Sequence, residues 1–268
     1  MDIIIGVMFF FFGTIIGSFL NVVIYRFNTG KSLNGRSMCF SCGKTLHWHE
    51  LVPLVSFLAL RGKCSKCKVS ISMQYPIVEA ITGIMFLFLG FKFMPNLAFG
   101  GMAGVLGVVW YTYVWCLFLV IAVYDVRHTV IPDKLVWLGN ALALLALFFF
   151  RGFEFVPHLA SHKALLAGPV LALPFWALWF FSKGKWMGLG DAKLVLGIGW
   201  LLGLSAGILG LFFAFWIGAI FSIILLLAKG RKYTMKSQVP FGPFLVLAAF
   251  IVFTFSLNLW SFSSYFYF

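Results

Sequence analysis

The chain has 268 residues, of which 62% are hydrophobic and 10% are charged. Soluble domains are about half apolar and about a quarter charged, so this composition excludes a water-soluble fold and makes lipid the expected solvent. The formal net charge is +13, but the basic residues flank apolar blocks, which argues against a nucleic-acid partner. Asp2 replaces a basic leader region and the first apolar run is long, so a cleavable signal peptide is not expected.

Long apolar blocks predict eight spanning helices and therefore an all-α polytopic membrane protein. The first span contains Gly13 and Gly17, a small-xxx-small pair typical of a closely packed helix face. The predicted organisation is a first transmembrane helix at 1–26, a cytoplasmic tetracysteine domain at 27–74 and a seven-helix membrane domain at 75–268. The spans are expected at about 2–26, 75–95, 102–125, 133–150, 163–182, 191–203, 206–229 and 242–262.

The loop after the first span carries two CxxC pairs, Cys39 with Cys42 and Cys64 with Cys67. Four thiolates at this spacing can close a tetrahedral shell around zinc, and a 48-residue loop has too small a core to fold unaided. Disulfide bonds are the alternative, although thiols on the cytoplasmic side are kept reduced. The pattern favours a structural zinc site.

Carboxylates are scarce: seven occur in the chain, and an ionisable group at membrane depth is costly and commonly functional. Glu79 stands in the first turn of the second span, where it could balance the helix dipole or face a cationic group. Asp125 ends the third span and Asp191 begins the sixth, beside Gly188 and Gly190, which allow another backbone to approach. In the eight-span topology both aspartates lie at one membrane edge.

Two adjoining carboxylates in a low-dielectric site cannot both ionise easily, so one holds a proton while the other activates water. Asp125 and Asp191 therefore predict hydrolysis by an aspartic-protease dyad. Each could instead be structural, as a helix N-cap or as an ion-pair partner of Arg127 or Lys193. Asp133, at the start of the fourth span, is predicted to be an N-cap.

The basic residues between the spans set the orientation. Of the 20 Lys and Arg residues, 17 fall on one side of the eight-span arrangement, eight of them between Arg26 and Lys68. Lys and Arg concentrate in cytoplasmic loops, so this side is predicted to be cytoplasmic and both termini external. The four basic residues before the last span belong to the same side: Lys229, Arg231, Lys232 and Lys236.

Ordered motifs along most of the chain resemble the bacterial type IV prepilin peptidase family. Besides the two CxxC pairs, they are GSFLNVVIYR at 17–26, HELVPL at 49–54, YPIVE at 75–79, Asp125 with IPD at 131–133, GLGDAK at 188–193 and VPFGPF at 239–244.

The resemblance implies a bifunctional inner-membrane enzyme whose catalytic residues are Asp125 and Asp191, facing the cytoplasm. It would cleave the leader of prepilins or pseudopilins and then methylate the new N-terminal amine with S-adenosylmethionine. Glu79 is the candidate for binding the methyl donor or the substrate amine. The oligomeric state stays open.

Two other function classes use similar residues. A presenilin-like or signal-peptide-peptidase-like protease carries Tyr-Asp and GxGD strings in the same order, but the tetracysteine loop and the missing Pro-Ala-Leu string argue against it. A transporter could use the two aspartates as an ion site. Inverted repeats with helices broken at the midplane would support a transporter, and the sequence shows no convincing repeat.

Overall fold

A computed structural model of the chain describes residues 2–30, 32, 34–227 and 239–259. Apart from one short hairpin, a long loop and the connecting turns, these residues are helical, because long apolar runs satisfy their backbone hydrogen bonds best within helices. The helices are α1 (Asp2–Arg26), α2 (Val55–Ala59), α3 (Gln74–Phe99), α4 (Gly101–His128), α5 (Asp133–Phe149), α6 (His162–Ser182), α7 (Leu189–Leu202), α8 (Leu204–Leu227) and α9 (Gly242–Thr254), with a 3₁₀ turn at Trp48–Glu50 and strands β1 (Phe150–Arg151) and β2 (Glu154–Phe155).

The predicted helical, multi-pass membrane fold is confirmed. Every helix except α2 begins within a few residues of a predicted span, and each also ends near it where the structure describes the chain, except that α9 stops at Thr254 although its span was expected to reach 262. In the described part of the chain, α1, α3, α4, α6 and α8 are long and apolar enough to cross a membrane, whereas α5, α7 and α9 are shorter. Eight full crossings therefore stay a prediction. The ends of the last two predicted spans and the cluster from Lys229 to Lys236 lie outside the described residues.

The chain forms two compact units, Met1–Met94 and Pro95–Phe268. The three domains predicted at 1–26, 27–74 and 75–268 stay a prediction. In the first unit α1 packs closely on α3: a Cβ added at Gly17 would lie 2.9 Å from the Cα of Glu79. Asn21 ties the same helices together, because its Nδ2 donates to the Tyr75 carbonyl oxygen at 3.2 Å.

In the second unit, α7 packs between α5 and α6, and α9 packs against α4 and α8. The strands β1 and β2 form an antiparallel hairpin directly after α5, which the sequence did not predict. Tyr111 of α4 holds this hairpin by donating from its hydroxyl to the Gly152 carbonyl oxygen at 3.1 Å. These packings bring the C-terminal end of α4 and the N-terminal ends of α7 and α9 into one region.

Candidate functional site

The two aspartates come from different helices of the second unit. Asp125 lies in the last turn of α4, because that helix continues to His128, and Asp191 is the third residue of α7. Asp125 is 5% exposed and Asp191 is half-buried. The two carboxylates interact electrostatically. Two acidic groups that are 66 residues apart in the sequence thus share one site.

Asp125 is held by the start of α9. The backbone N–H of Gly242 donates to Oδ2 of Asp125 at 3.1 Å. A Cβ at position 242 would lie 2.7 Å from the same oxygen, so only glycine lets the backbone come this close. Gly242 is the first residue of α9, and the positive end of a helix dipole favours a carboxylate there. This hydrogen bond orients the Asp125 carboxylate through Oδ2.

Asp191 is placed by the glycines on its N-terminal side. Gly188 is the N-cap of α7, and its carbonyl oxygen accepts from the Asp191 N–H at 3.3 Å. A Cβ at Gly190 would lie 2.8 Å from the Cβ of Ile131, so this glycine makes room for a buried apolar side chain. Ile131 Cδ1 also lies 3.5 Å from the Cβ position of Gly242. One side chain therefore lines both glycine segments of the site and gives it an apolar wall.

The register of α7 is fixed by its two neighbours. Asn140 of α5 is 1% exposed, and its Nδ2 donates to the Lys193 carbonyl oxygen at 3.0 Å. On the other side, Trp200 Nε1 donates to the Leu165 carbonyl oxygen of α6 at 2.9 Å. These two bonds hold a helix of only 14 residues and, with it, the position of Asp191.

The prediction that Asp133 is an N-cap is wrong. Pro132 takes the extended N-cap conformation, with φ −74° and ψ 118°, and α5 begins at Asp133. The Asp133 carboxylate instead pairs with Lys193 at 2.6 Å. Its side chain is 64% exposed, so the pair stabilises the fold little. Lys193 pairs with Asp133 and not with Asp191 in the described part of the chain.

Three residues of this site received no role from the sequence: Ile131, Asn140 and Gly242. The motifs IPD and VPFGPF marked two of them as part of a resemblance, without a physical reason. A lone asparagine within an apolar helix was the only available signal for Asn140.

The tetracysteine loop brings its four thiols into one cluster. The Sγ atoms of Cys39, Cys42, Cys64 and Cys67 lie within 4.8 Å of one another, and those of Cys39 and Cys67 are 3.8 Å apart. A tetrahedral shell with Zn–S bonds of about 2.3 Å places its sulfurs about 3.8 Å apart. All four cysteines are free thiols. The residues therefore fit a metal ion, and disulfide pairing is not what the loop adopts.

The two CxxC pairs lie in equivalent turns. The N–H of Cys39 donates to the Lys44 carbonyl, and the N–H of Cys64 to the Val69 carbonyl, both at 2.9 Å. Backbone N–H groups, first that of Cys67, lower the pKa of Cys64 to about 6 and so favour the thiolate at this position. Although the Val69 N–H lowers the pKa of Cys67, burial and the neighbouring thiols raise it to about 11.

A buried ion pair joins these turns. Glu50 is 8% exposed and accepts from Lys44 Nζ at 2.8 and 3.0 Å, from the Ser65 hydroxyl, and from the His47 N–H at 2.9 Å. Lys44 follows the first CxxC pair and Ser65 lies within the second, so Glu50 holds the two together. The hydrogen bond from Lys44, more than any other contact, lowers the pKa of Glu50 to about 2.

Glu79 lies apart from these groups in the first unit, and its side chain is 6% exposed. Its Oε2 accepts from the Leu54 N–H at 2.8 Å, and the Ser18 hydroxyl interacts with the same carboxylate. It borders a cavity of about 440 Å³. Besides standing in the first turns of α3, Glu79 therefore lines a cavity of ligand size.

Sequence comparisons identify the families that the chain resembles. Residues 11–93 match the profile of the Bacterial Peptidase A24 N-terminal domain, and residues 110–223 match that of the Type IV leader peptidase family. No solved structure matches the chain significantly.

Curated relatives named "Prepilin leader peptidase/N-methyltransferase" include one from Stutzerimonas stutzeri and one from Pseudomonas aeruginosa, each 31% identical over 89% of this chain and 86% of the relative. Another, from Neisseria gonorrhoeae, is 29% identical over 92% of this chain and 90% of the relative. Two matching profiles and relatives of nearly the same length show that the chain belongs to the type IV leader peptidase family.

Proposed function

We propose that the chain is a membrane aspartic endopeptidase that removes the leader peptide of type IV prepilins or pseudopilins and N-methylates the new amino terminus. Family membership and the names of the relatives support both activities. They do not favour a presenilin-like protease or a transporter. The observation that most supports the peptidase activity is that Asp125, at the C-terminal end of α4, and Asp191, at the N-terminal end of α7, share one site.

The dyad acts by moving protons. One carboxylate takes a proton from water as the water oxygen bonds to the scissile carbonyl carbon, and the other, protonated, carboxyl donates to the carbonyl oxygen. When the C–N bond breaks, the leaving amine receives a proton. The shared proton belongs to the pair, so we assign neither role to one residue. Gly242 orients Asp125 in this scheme and Ile131 limits the access of bulk water.

The metal and the methyl donor have separate places in the proposal. Cys39, Cys42, Cys64 and Cys67 would hold zinc, and its role would be structural, since four thiolates would leave no open position for chemistry. S-adenosylmethionine supplies the methyl group when bound. Glu79 is the residue that we propose to face a cation of this reaction, either the donor or the substrate amine.

We also propose an inner-membrane location with the dyad facing the cytoplasm. The support is the charge distribution: in the predicted eight-span arrangement, 17 of the 20 basic residues fall on the side where the tetracysteine loop and both aspartates are expected.

The peptidase is tested by leader removal from a prepilin in membranes holding the protein. Asp125→Asn and Asp191→Asn should each lower the cleavage rate by about 10²–10⁴-fold, because each removes one proton-transfer group. Asp133→Asn is the matched control: it neutralises a nearby, exposed carboxylate and should cleave like the wild type. Near-normal cleavage by either dyad variant would remove that residue from the mechanism.

A further inference from the structure

A cavity in the first unit has the size of a small-molecule site. Its volume is about 440 Å³, and it is lined by the C-terminal part of α1, the first turns of α3 and the tetracysteine loop. Ligand pockets in proteins range from about 300 to 1,000 Å³. Seven serines line it, beside aromatic and aliphatic side chains. The lining therefore suits a ligand with both a flat apolar part and several hydrogen-bonding groups.

The cavity contains a buried carboxyl group that has no ion-pair partner in the described part of the chain. Two carboxylates line it, and one of them, Glu50, is paired with Lys44. Glu79 is 6% exposed and accepts hydrogen bonds from neutral groups, whereas no Lys, Arg or His in the described part of the chain forms an ion pair with it. Arg26 also lines the cavity, but its guanidinium donates to the Ser32 and Asn34 carbonyl oxygens. Burying a lone carboxylate is costly, so this wall is complementary to a cation.

The backbone next to Glu79 is strained. Leu54, whose N–H donates to Glu79, has φ 61° and ψ −49°, a conformation that residues with a Cβ rarely adopt. Strain of this kind is kept at ligand sites when it aims a group that the site needs. Here the strained conformation directs the Leu54 N–H toward Glu79 and so fixes the Glu79 carboxylate.

An aromatic wall completes the cavity. The rings of Tyr25 and Tyr75 are stacked, with centroids 4.9 Å apart and an interplanar angle of 13°, and Phe40 lies 6.2 Å from Tyr25. Aromatic faces accept both planar bases and cations.

We infer that this cavity binds S-adenosylmethionine, with Glu79 facing the sulfonium and the Tyr25–Tyr75 wall receiving the adenosine. The inference rests on the proposed methyltransferase function and adds the site and the role of each group. A sulfonium matches the lone carboxylate, the base matches the aromatic rings, and the ribose hydroxyls match the serines. The pilin amine is the competing cation, but an amine alone would not contact the aromatic rings and the serines of the lining.

Direct binding tests the site without turnover. Purified full-length protein is dialysed to equilibrium against labelled S-adenosylmethionine, and separately against labelled S-adenosylhomocysteine. The second ligand keeps the adenosine, but its sulfur carries no charge. Glu79→Gln should weaken binding of S-adenosylmethionine by about tenfold or more, because a buried charge partner is lost. Binding of S-adenosylhomocysteine should change by less than about twofold. Glu154→Gln, the same change at an exposed carboxylate of β2, should leave both affinities unchanged.

A second variant keeps the test decisive if Glu79→Gln unfolds, as judged from its thermal unfolding midpoint. Ser56→Trp fills the cavity from α2 and should weaken both ligands by about tenfold or more while the carboxylate stays in place. Wild-type affinity for S-adenosylmethionine in folded Ser56→Trp would overturn the site. Wild-type affinity for S-adenosylmethionine in folded Glu79→Gln, or equal weakening of both ligands by this variant, would overturn the role of Glu79. If the wild type neither binds the donor nor methylates cleaved pilin, the proposed methyltransferase function itself fails.

Discussion

At position 242 the fold has no space for a side chain. The Gly242 N–H reaches Asp125 Oδ2 at 3.1 Å, and the carboxylate occupies the volume where a Cβ would stand. The contact joins residues 117 positions apart, and it orients a group that must lie within a few tenths of an ångström of its working position.

Gly242→Ala should therefore lower prepilin cleavage by about 100-fold without loss of the folded protein. The added methyl would stand 2.7 Å from Asp125 Oδ2 and must push the carboxylate aside. The measurement is the initial rate of leader removal. Gly210→Ala is the matched control, because its methyl would meet nothing nearer than 3.7 Å. Equal rates for the two variants would mean that Gly242 does not position Asp125.

At the scale of elements, the tetracysteine loop depends on two different links between its halves. The Lys44–Glu50–Ser65 contacts join the CxxC turns through a buried charge, and a metal ion would join them through four thiolates. At neutral pH the ionised Glu50 contributes to the free energy of unfolding. Because its pKa is lowered from 4.5 to about 2, this stabilisation is lost only as the pH falls from about 4.5 toward 2.

Purified protein should contain about one zinc ion per chain. Replacing any one of the four loop cysteines with serine should lower the zinc content and make the loop more accessible to protease, because a three-thiolate shell binds zinc less tightly. Elemental analysis measures the metal. Cys116→Ser, at the buried thiol of α4, should keep the full zinc content. Metal-free wild-type protein would contradict the site.

The helices were predictable, and the contacts between them were not. Apolar runs of sufficient length locate α1 to α9 except α2, because hydrophobicity is a local property of the chain. The scarcity of carboxylates singled out Asp125 and Asp191 before any packing was known. The partners of these residues come from distant segments: Gly242 reaches Asp125, and Asn140 fixes α7. No local pattern encodes such pairs, and Asp133 shows that a plausible local role can lose to a distant partner, Lys193.

At the scale of the whole molecule, orientation follows from charge. Reporter fusions within 30–70, 183–188 and 230–238 should report the cytoplasm, and fusions at 96–100, at 155–160 and at the C-terminus should report the outside. The segment 230–238 and the residues after 259 lie outside the described structure, so the fusions there test the sequence prediction alone. A cytoplasmic C-terminus would show that the number of crossings differs from eight.

The most direct test of the dyad is a double-mutant cycle. The rate of leader removal is measured by mass spectrometry for the wild type, Asp125→Asn, Asp191→Asn and the double variant, with enzyme in excess over prepilin. Because both carboxylates serve one water molecule, the double variant should be no slower than the slower single variant, within a few-fold. Independent losses that multiply in the double variant would contradict a shared site.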